Sequence, residues 1–249
     1  MRNLLRRSCL LALVYIAGGS PFDGTARADD GWLNLAGMSP YQGKPGGWEE
    51  VGDVRLKPKN PSGLVGEAGS GVIFNGNGPN SRGSNLVTKE KFGDVEVHLE
   101  FAVPKGSNSG IKLEGVYEIQ IFDSSNVKKI TASHCGGIYP RAELLPRYRH
   151  IDEGYPPKAN ACKPPGEWQT LDIVFLAPKF DAAGKKVSNA RFVSVKLNGV
   201  VVQENQDVPY PTGHVWREPE HPTGPILLQG DHGPVAFRNF RVRPVQAAR

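Results

Sequence analysis

Between Asp94 and Val103 the chain alternates: Val95, Val97, Leu99, Phe101 and Val103 fall on one side of an extended backbone, and Glu96, His98 and Glu100 on the other. Successive side chains of a strand point to opposite faces, so this pattern predicts a strand with one face in a core and one in water. Shorter runs of the same kind recur at 71–74, 111–113, 117–122, 169–176, 192–197, 200–203, 226–229 and 235–242. No stretch longer than two turns keeps apolar residues at helical spacing. Asn198-Gly199 separates two of the runs, and that dipeptide marks a tight hairpin because both turn residues must tolerate positive φ. Strands punctuated by 30 Gly and 21 Pro predict an all-β fold, a two-sheet β-sandwich or jelly roll with long Pro-rich loops.

Two connections are long for a compact domain. One runs from Tyr139 to Glu167 and holds six prolines; the other runs from Glu204 to Pro225 and encloses Pro209, Pro211, Pro219 and Pro222. Loops of this length usually bind something, and proline lowers the entropy they lose on ordering, so they are the expected walls of a site. No internal repeat, low-complexity tract or linker divides residues 29–249, which therefore read as one domain.

The first 28 residues read differently. Basic Arg2, Arg6 and Arg7 precede the apolar run Cys9 to Ala17, and Ala26-Arg27-Ala28 precedes Asp29, the order of a secretory signal peptide cleaved after Ala28. The apolar run is far shorter than the roughly 20 residues that span a bilayer, so no membrane span is expected after cleavage. The mature chain is expected in the periplasm or outside the cell. Cleavage removes four of the 30 Lys and Arg and one of the 25 Asp and Glu, which leaves a charge of only +2. With no Lys/Arg block remaining, neither nucleic acid nor a membrane surface is an expected partner. Only Cys135 and Cys162 survive processing. In an oxidising compartment they could form one disulfide; two unpaired thiols is the other reading the sequence leaves open.

Chemistry concentrates in Tyr117-Glu118-Ile119-Gln120-Ile121-Phe122-Asp123. Glu118 and Gln120 share a strand face. Asp123 points the other way in a regular strand, and a one-residue bulge near Ile121-Phe122 would bring it round beside them. Two carboxylates and an amide on one sheet face are the equipment of sugar chemistry. Asn108 and Glu114 lie on the preceding strand, which as the hairpin partner would deliver them beside Glu118. Near the C-terminus Gln229, His232 and Arg238 form a donor-rich set. A guanidinium fork, or an imidazole that changes charge near neutral pH, can stabilise a developing oxyanion. Tyr139 and Trp168 are candidate stacking platforms for sugar rings. His134, His150, His214 and His221 lack the spacing of zinc sites, so no metal or other cofactor is assigned; a divalent ion on scattered ligands stays open.

Taken in order, N-S-G-I at Asn108, Y-E-I-Q-I-F-D at Tyr117, G-G-I-Y at Gly136, G-E-W at Gly166, L-N-G at Leu197, G-P-I-L-L-Q-G-D-H-G at Gly224 and V-A-F-R-N-F at Val235 resemble the 3-keto-disaccharide hydrolase-type family. The resemblance runs from about Trp32 to Pro244. It implies a concanavalin-like lectin/glucanase jelly roll and a small carbohydrate partner, an oxidised glucoside or disaccharide. The acidic strand also resembles that of laminarinase-type glycosidases, but Gln120 stands where those enzymes carry a middle aspartate, which speaks against ordinary double displacement. A carbonyl at sugar C3 acidifies the C2 proton, so the implied route is elimination of the C1 substituent followed by addition of water. On that reading Glu118 and Asp123 transfer protons, and His232 or Arg238 faces the enolate oxygen. Asn108, Gln120 and Gln229 take sugar hydroxyls, with Glu114, Tyr139 and Trp168 as further substrate contacts. The competing readings are a noncatalytic carbohydrate-binding module, an ordinary endo-glucanase and a structural envelope domain, since one fold hosts many functions.

Overall fold

The computed structural model describes residues 31–43, 45–76 and 83–246. The expected signal segment, 1–28, lies outside the described residues. Among the described residues there is no helix, and so none long and apolar enough to cross a membrane.

Two antiparallel sheets make the body of the chain. The larger orders its strands as Val200–Val208, Ala190–Leu197, Gln169–Leu176, Val95–Ala102, Ala236–Pro244, Asn60–Phe74 and Glu49–Lys57, with the short Leu33–Asn34 paired to Ala236–Pro244. The smaller runs Leu86–Phe92, Gly224–Leu228, Asn108–Leu113 and Tyr117–Phe122. The sheets pack face to face as a jelly-roll β-sandwich. Val97, Leu99, Phe101, Ile173 and Phe175 of the larger sheet share one core with Ile111, Leu113, Ile119, Ile121, Ile226 and Leu228 of the smaller. Burying those apolar faces drives the association of the two layers.

The alternation read from 94–103 is realised. Val95, Val97, Leu99 and Phe101 are buried, while the opposite face of the strand carries polar pairs: ion pairs of Glu96 with Arg243 and Glu100 with Arg238, and a hydrogen-bond contact of His98 with Asp172. Asn198 and Gly199 take φ of 52° and 81° at the turn between Ala190–Leu197 and Val200–Val208, as a tight hairpin requires. In the two main sheets, Leu33–Asn34, Glu49–Lys57 and Leu86–Phe92 lie outside the runs read from the sequence, as do the short ribbons Ala142–Glu143 with Arg149–His150 and Lys179–Phe180 with Lys186–Ser188. Glu49–Lys57 buries only Val54, so it carries little of the two-residue alternation that marks a half-buried strand.

Candidate active site

The polar residues gather on the outer face of the smaller sheet. Asn108–Leu113 and Tyr117–Phe122 pair in unbroken register, with Lys112 opposite Glu118 and Gly110 opposite Gln120. Because Ile111, Leu113, Ile119 and Ile121 fill the core, the two-residue period turns Asn108, Gly110, Lys112, Glu118 and Gln120 outward. There, Asn108, Lys112, Glu118 and Gln120 line an open groove of about 520 Å³ with Tyr139, Tyr148, His214, Gln229, Asp231 and His232.

Glu118 is only 4% exposed, and the Lys112 ammonium stands 3.0 Å from its Oε2. A glycine makes room for this carboxylate: a Cβ on Gly110 would come within 2.7 Å of Glu118 Oε1. The segment at 136–139 that leads into the first long loop, and the second long loop, then clamp the strand from its free edge. Tyr139 N donates to Glu118 O, Gly136 N donates to Gln120 O, and Gln120 N donates to Gly137 O. From the second loop Thr212 Oγ1 accepts the Glu118 amide at 3.0 Å. Both charges of the pair have lost their water, so removing either would leave the other buried and uncompensated.

Around the pair lie groups free to meet a ligand. Gln120 Nε2 donates to Ser133 O, but Gln120 Oε1 and Asn108 Oδ1 are buried without a partner. Buried acceptors are rarely left unpaired, and two of them in one groove suit the hydroxyls of a sugar. His232 Nδ1 contacts Asp231 Oδ1 at 2.5 Å, which fixes the ring and leaves Nε2 as its other polar atom. Tyr139 joins a chain of polar contacts, its hydroxyl 2.7 Å from that of Tyr148 and 3.3 Å from His150 Nε2. Burial, the Tyr148 hydrogen bond and the nearby Glu118 charge push the Tyr139 phenol up, so it keeps its proton.

The structure thus brings Asn108, Glu118, Gln120, Tyr139, Gln229 and His232 to one groove, and it separates the other sequence candidates from it. Asp123 is a correction: the register through Ile121 and Phe122 is regular, so no bulge turns it toward Glu118. Its Oδ2 instead accepts the Gly106 amide at 3.0 Å in the neighbouring turn. Glu114 sits in the hairpin turn at a φ of 53°, buried beside the strand that begins at Gly224 and outside the groove lining. Arg238 and Trp168 lie on the opposite side of the sandwich. Phe237 points into the core, so Arg238 projects from the outer face of the larger sheet, where it binds Glu100 at 2.7 Å and covers the Trp168 ring at 4.0 Å. Trp168 Nε1 donates to Asp53 there. Burial alone would raise the Glu100 carboxyl, but hydrogen bonds from Asn239 and Arg238 hold it below its usual range, which marks Arg238 as a structural partner.

Cys135 and Cys162 are free thiols, not a disulfide. They are nevertheless neighbours: the Cys135 thiol donates to the Cys162 sulfur, which brings the Cys162 thiol down to about 7 and raises that of Cys135. Among the described residues no three His, Cys, Asp or Glu side chains come together to hold a metal ion. Lys112, Tyr148 and Asp231 join the groove without having been singled out in the sequence, and so does His214, which was weighed there only as a metal ligand. Lys112 was within reach, because pairing the strands across the Glu114-Gly115 turn sets it opposite Glu118.

Residues 20–243 match the family model described as the 3-keto-alpha-glucoside-1,2-lyase-like domain. Among solved structures, a candidate glycosyl hydrolase from Parabacteroides distasonis is 30% identical, with a TM-score of 0.58 and 84% of each chain covered. A second candidate glycosyl hydrolase from the same organism is 20% identical over 80% of this chain and 99% of its own, with a TM-score of 0.48. The search of curated proteins gives no match.

Proposed function

This chain belongs to the family of 3-keto-alpha-glucoside-1,2-lyase-like domains, and on that premise we propose that it is a carbohydrate-active enzyme that cleaves the glycosidic bond of 3-keto-glycosides. The observation that carries the reading is the buried Glu118–Lys112 pair in a groove lined with unpaired acceptors. A C3 carbonyl makes the C2 hydrogen acidic, and a carboxylate held rigidly out of water is a competent base for it. Glu118 takes the C2 proton, and the electrons of that C–H bond move into C2–C3 as the carbonyl oxygen becomes an enolate. Neutralising Glu118 leaves the Lys112 ammonium uncompensated at that moment, so its attraction to the enolate oxygen grows in the transition state.

Collapse of the enolate restores the carbonyl, forms C1=C2 and breaks the C1–O bond. His232, in its doubly protonated form and oriented by Asp231, gives its Nε2 proton to the leaving oxygen. Addition of water then completes hydrolysis: Glu118 returns its proton to C2, the water oxygen bonds to C1, and His232 recovers the remaining proton. Gln120, Asn108 and Gln229 hold the sugar hydroxyls throughout.

Export is the other half of this reading, with residues 1–28 directing secretion and Asp29 as the mature N-terminus. One experiment tests both. The chain recovered from the periplasm or medium should begin at Asp29 and release the aglycone from a 3-keto-glucoside but not from its parent glucoside. Glu118→Gln should abolish that release with the circular dichroism spectrum retained. Turnover unchanged by the substitution, or binding of unoxidised oligosaccharide with no product from the keto sugar, removes the proposed chemistry.

A further inference from the structure

The short hairpin of Ala142–Glu143 and Arg149–His150 stands beside the Glu118 groove. Leu144 and Tyr148 line that groove, while the tip from Leu145 to Arg147 lies outside the lining. Four of the eight large apolar side chains exposed among the described residues fall in this one stretch: Leu144, Leu145, Tyr148 and Ile151. Leu145, at 81%, is the most exposed of all eight. Scattered apolar residues on a surface need no account, but a cluster on one turn marks a surface that something covers. The base beneath it is fixed. Ala142 pairs with His150 and Glu143 with Arg149, and Ala142 N donates to Gly213 O of the second long loop.

The charge of the hairpin has one sign. No acidic residue stands between Leu144 and Ile151, and Arg147 and Arg149 are exposed without an ion pair among the described residues. The flanking acids are already engaged: Glu143 with Arg217 at 2.7 Å, and Asp152 with Arg141 at 2.6 Å, while Glu153 lines a small cavity beside Arg141. Trp216 lies against the guanidinium groups of Arg141 and Arg217 at the same end of the molecule. Leucines at a tip, cations behind them and a tyrosine and a tryptophan alongside match the layers of a bilayer boundary. Acyl chains take the leucines, phosphates the guanidinium groups, and the headgroup region the aromatic rings. A protein partner fits less well, because a stable interface draws on about 20–30 residues a side and this stretch has eight. Two arginines form no basic block in the sequence; they matter here because the fold sets them behind a protruding apolar turn.

We propose that residues 144–151 are a peripheral anchor that docks the chain on an anionic phospholipid surface, with Leu145 and its apolar neighbours entering the acyl boundary and Arg147 and Arg149 on the phosphates. Docking is reversible, since a few apolar side chains and two cations fall far short of a spanning segment. It holds the mouth of the Glu118 groove at the bilayer, because Leu144 and Tyr148 border both. Nothing in it depends on the chemistry of that groove.

The test is cosedimentation with lipid vesicles. The chain from Asp29, which keeps every strand of both sheets and lacks the apolar run at 9–17, is mixed with vesicles of equal parts phosphatidylglycerol and phosphatidylcholine, and with vesicles of phosphatidylcholine alone. Binding should favour the anionic vesicles. It should fall several-fold between about 0.1 M and about 1 M salt, where the screening length shrinks from about 10 to about 3 Å. Leu145→Ser should lower the partition constant by about tenfold, the loss of one buried leucine side chain. Arg147→Glu together with Arg149→Glu should remove the preference for anionic lipid. Leu145→Trp should bind as the parent does, and the emission it adds should move to the blue on the vesicles. These positions are exposed, so the circular dichroism spectra should match that of the parent. No binding to anionic vesicles, equal binding to both kinds, or parent-like binding by Leu145→Ser overturns the anchor. So does a dimer in sedimentation that Leu145→Ser disperses, because a second copy would then be what covers the turn.

Discussion

Glu114 illustrates what burial does to an acid that finds no partner. Its carboxyl is 8% exposed in the turn between the two strands of the site, and neither oxygen accepts a hydrogen bond. Burial therefore pushes the group up to about 8; Lys179 opposes the shift, and Glu220 and Asp94 add to it. The unfolded chain would release this proton near pH 4.5, whereas the native chain keeps it to about pH 8. Between those limits the native state binds more protons than the unfolded one, so stability from this group is lost as pH rises. At about 1.4 kcal/mol per unit, the cost grows by about 3 kcal/mol from about pH 5 to about pH 7.5 and levels off above pH 8.

Glu114→Gln keeps the shape and removes the titration. Denaturant unfolding of both chains, followed by tryptophan fluorescence across that pH range, reads the difference directly. The variant should gain on the parent by about 3 kcal/mol over the window, or about 6–12 °C in Tm for a chain of this size. Any constant cost of burying the amide moves the two curves apart without changing their slopes. Parallel stability curves would refute the reasoning, because they would mean that Glu114 titrates as an ordinary exposed carboxylate.

Gly110→Ala should lower activity by about a hundredfold, because a Cβ 2.7 Å from Glu118 Oε1 must displace the carboxylate from Lys112 and the substrate. Turnover at the parent rate would mean that the position of that carboxylate does not matter. At the cysteine pair, Cys162 should alkylate before Cys135, with a rate that rises through a midpoint near about 7, and Cys135→Ala should move that midpoint upward by removing the donor. Peptide mapping of iodoacetamide adducts against pH checks this; a midpoint unmoved by the substitution would contradict the thiol contact.

Much of this protein was set locally. The alternation at 94–103 fixes which side of that strand is core, and Asn198-Gly199 fixes a hairpin, because both depend only on neighbouring residues and backbone sterics. The same period placed Glu118 and Gln120 on one face, and once the hairpin formed Asn108 and Lys112 followed. What lay beyond sequence was the meeting of elements far apart in the chain. Arg238 sits only six residues from His232, yet the intervening strand crosses to the larger sheet and carries Arg238 to the other side of the sandwich. Glu114 stands four residues from Glu118, but packing against the strand that begins at Gly224 buries it away from the groove. Side-chain period gives direction within a strand; only the stacking of two sheets and the path of two long loops decide which directions converge on a site.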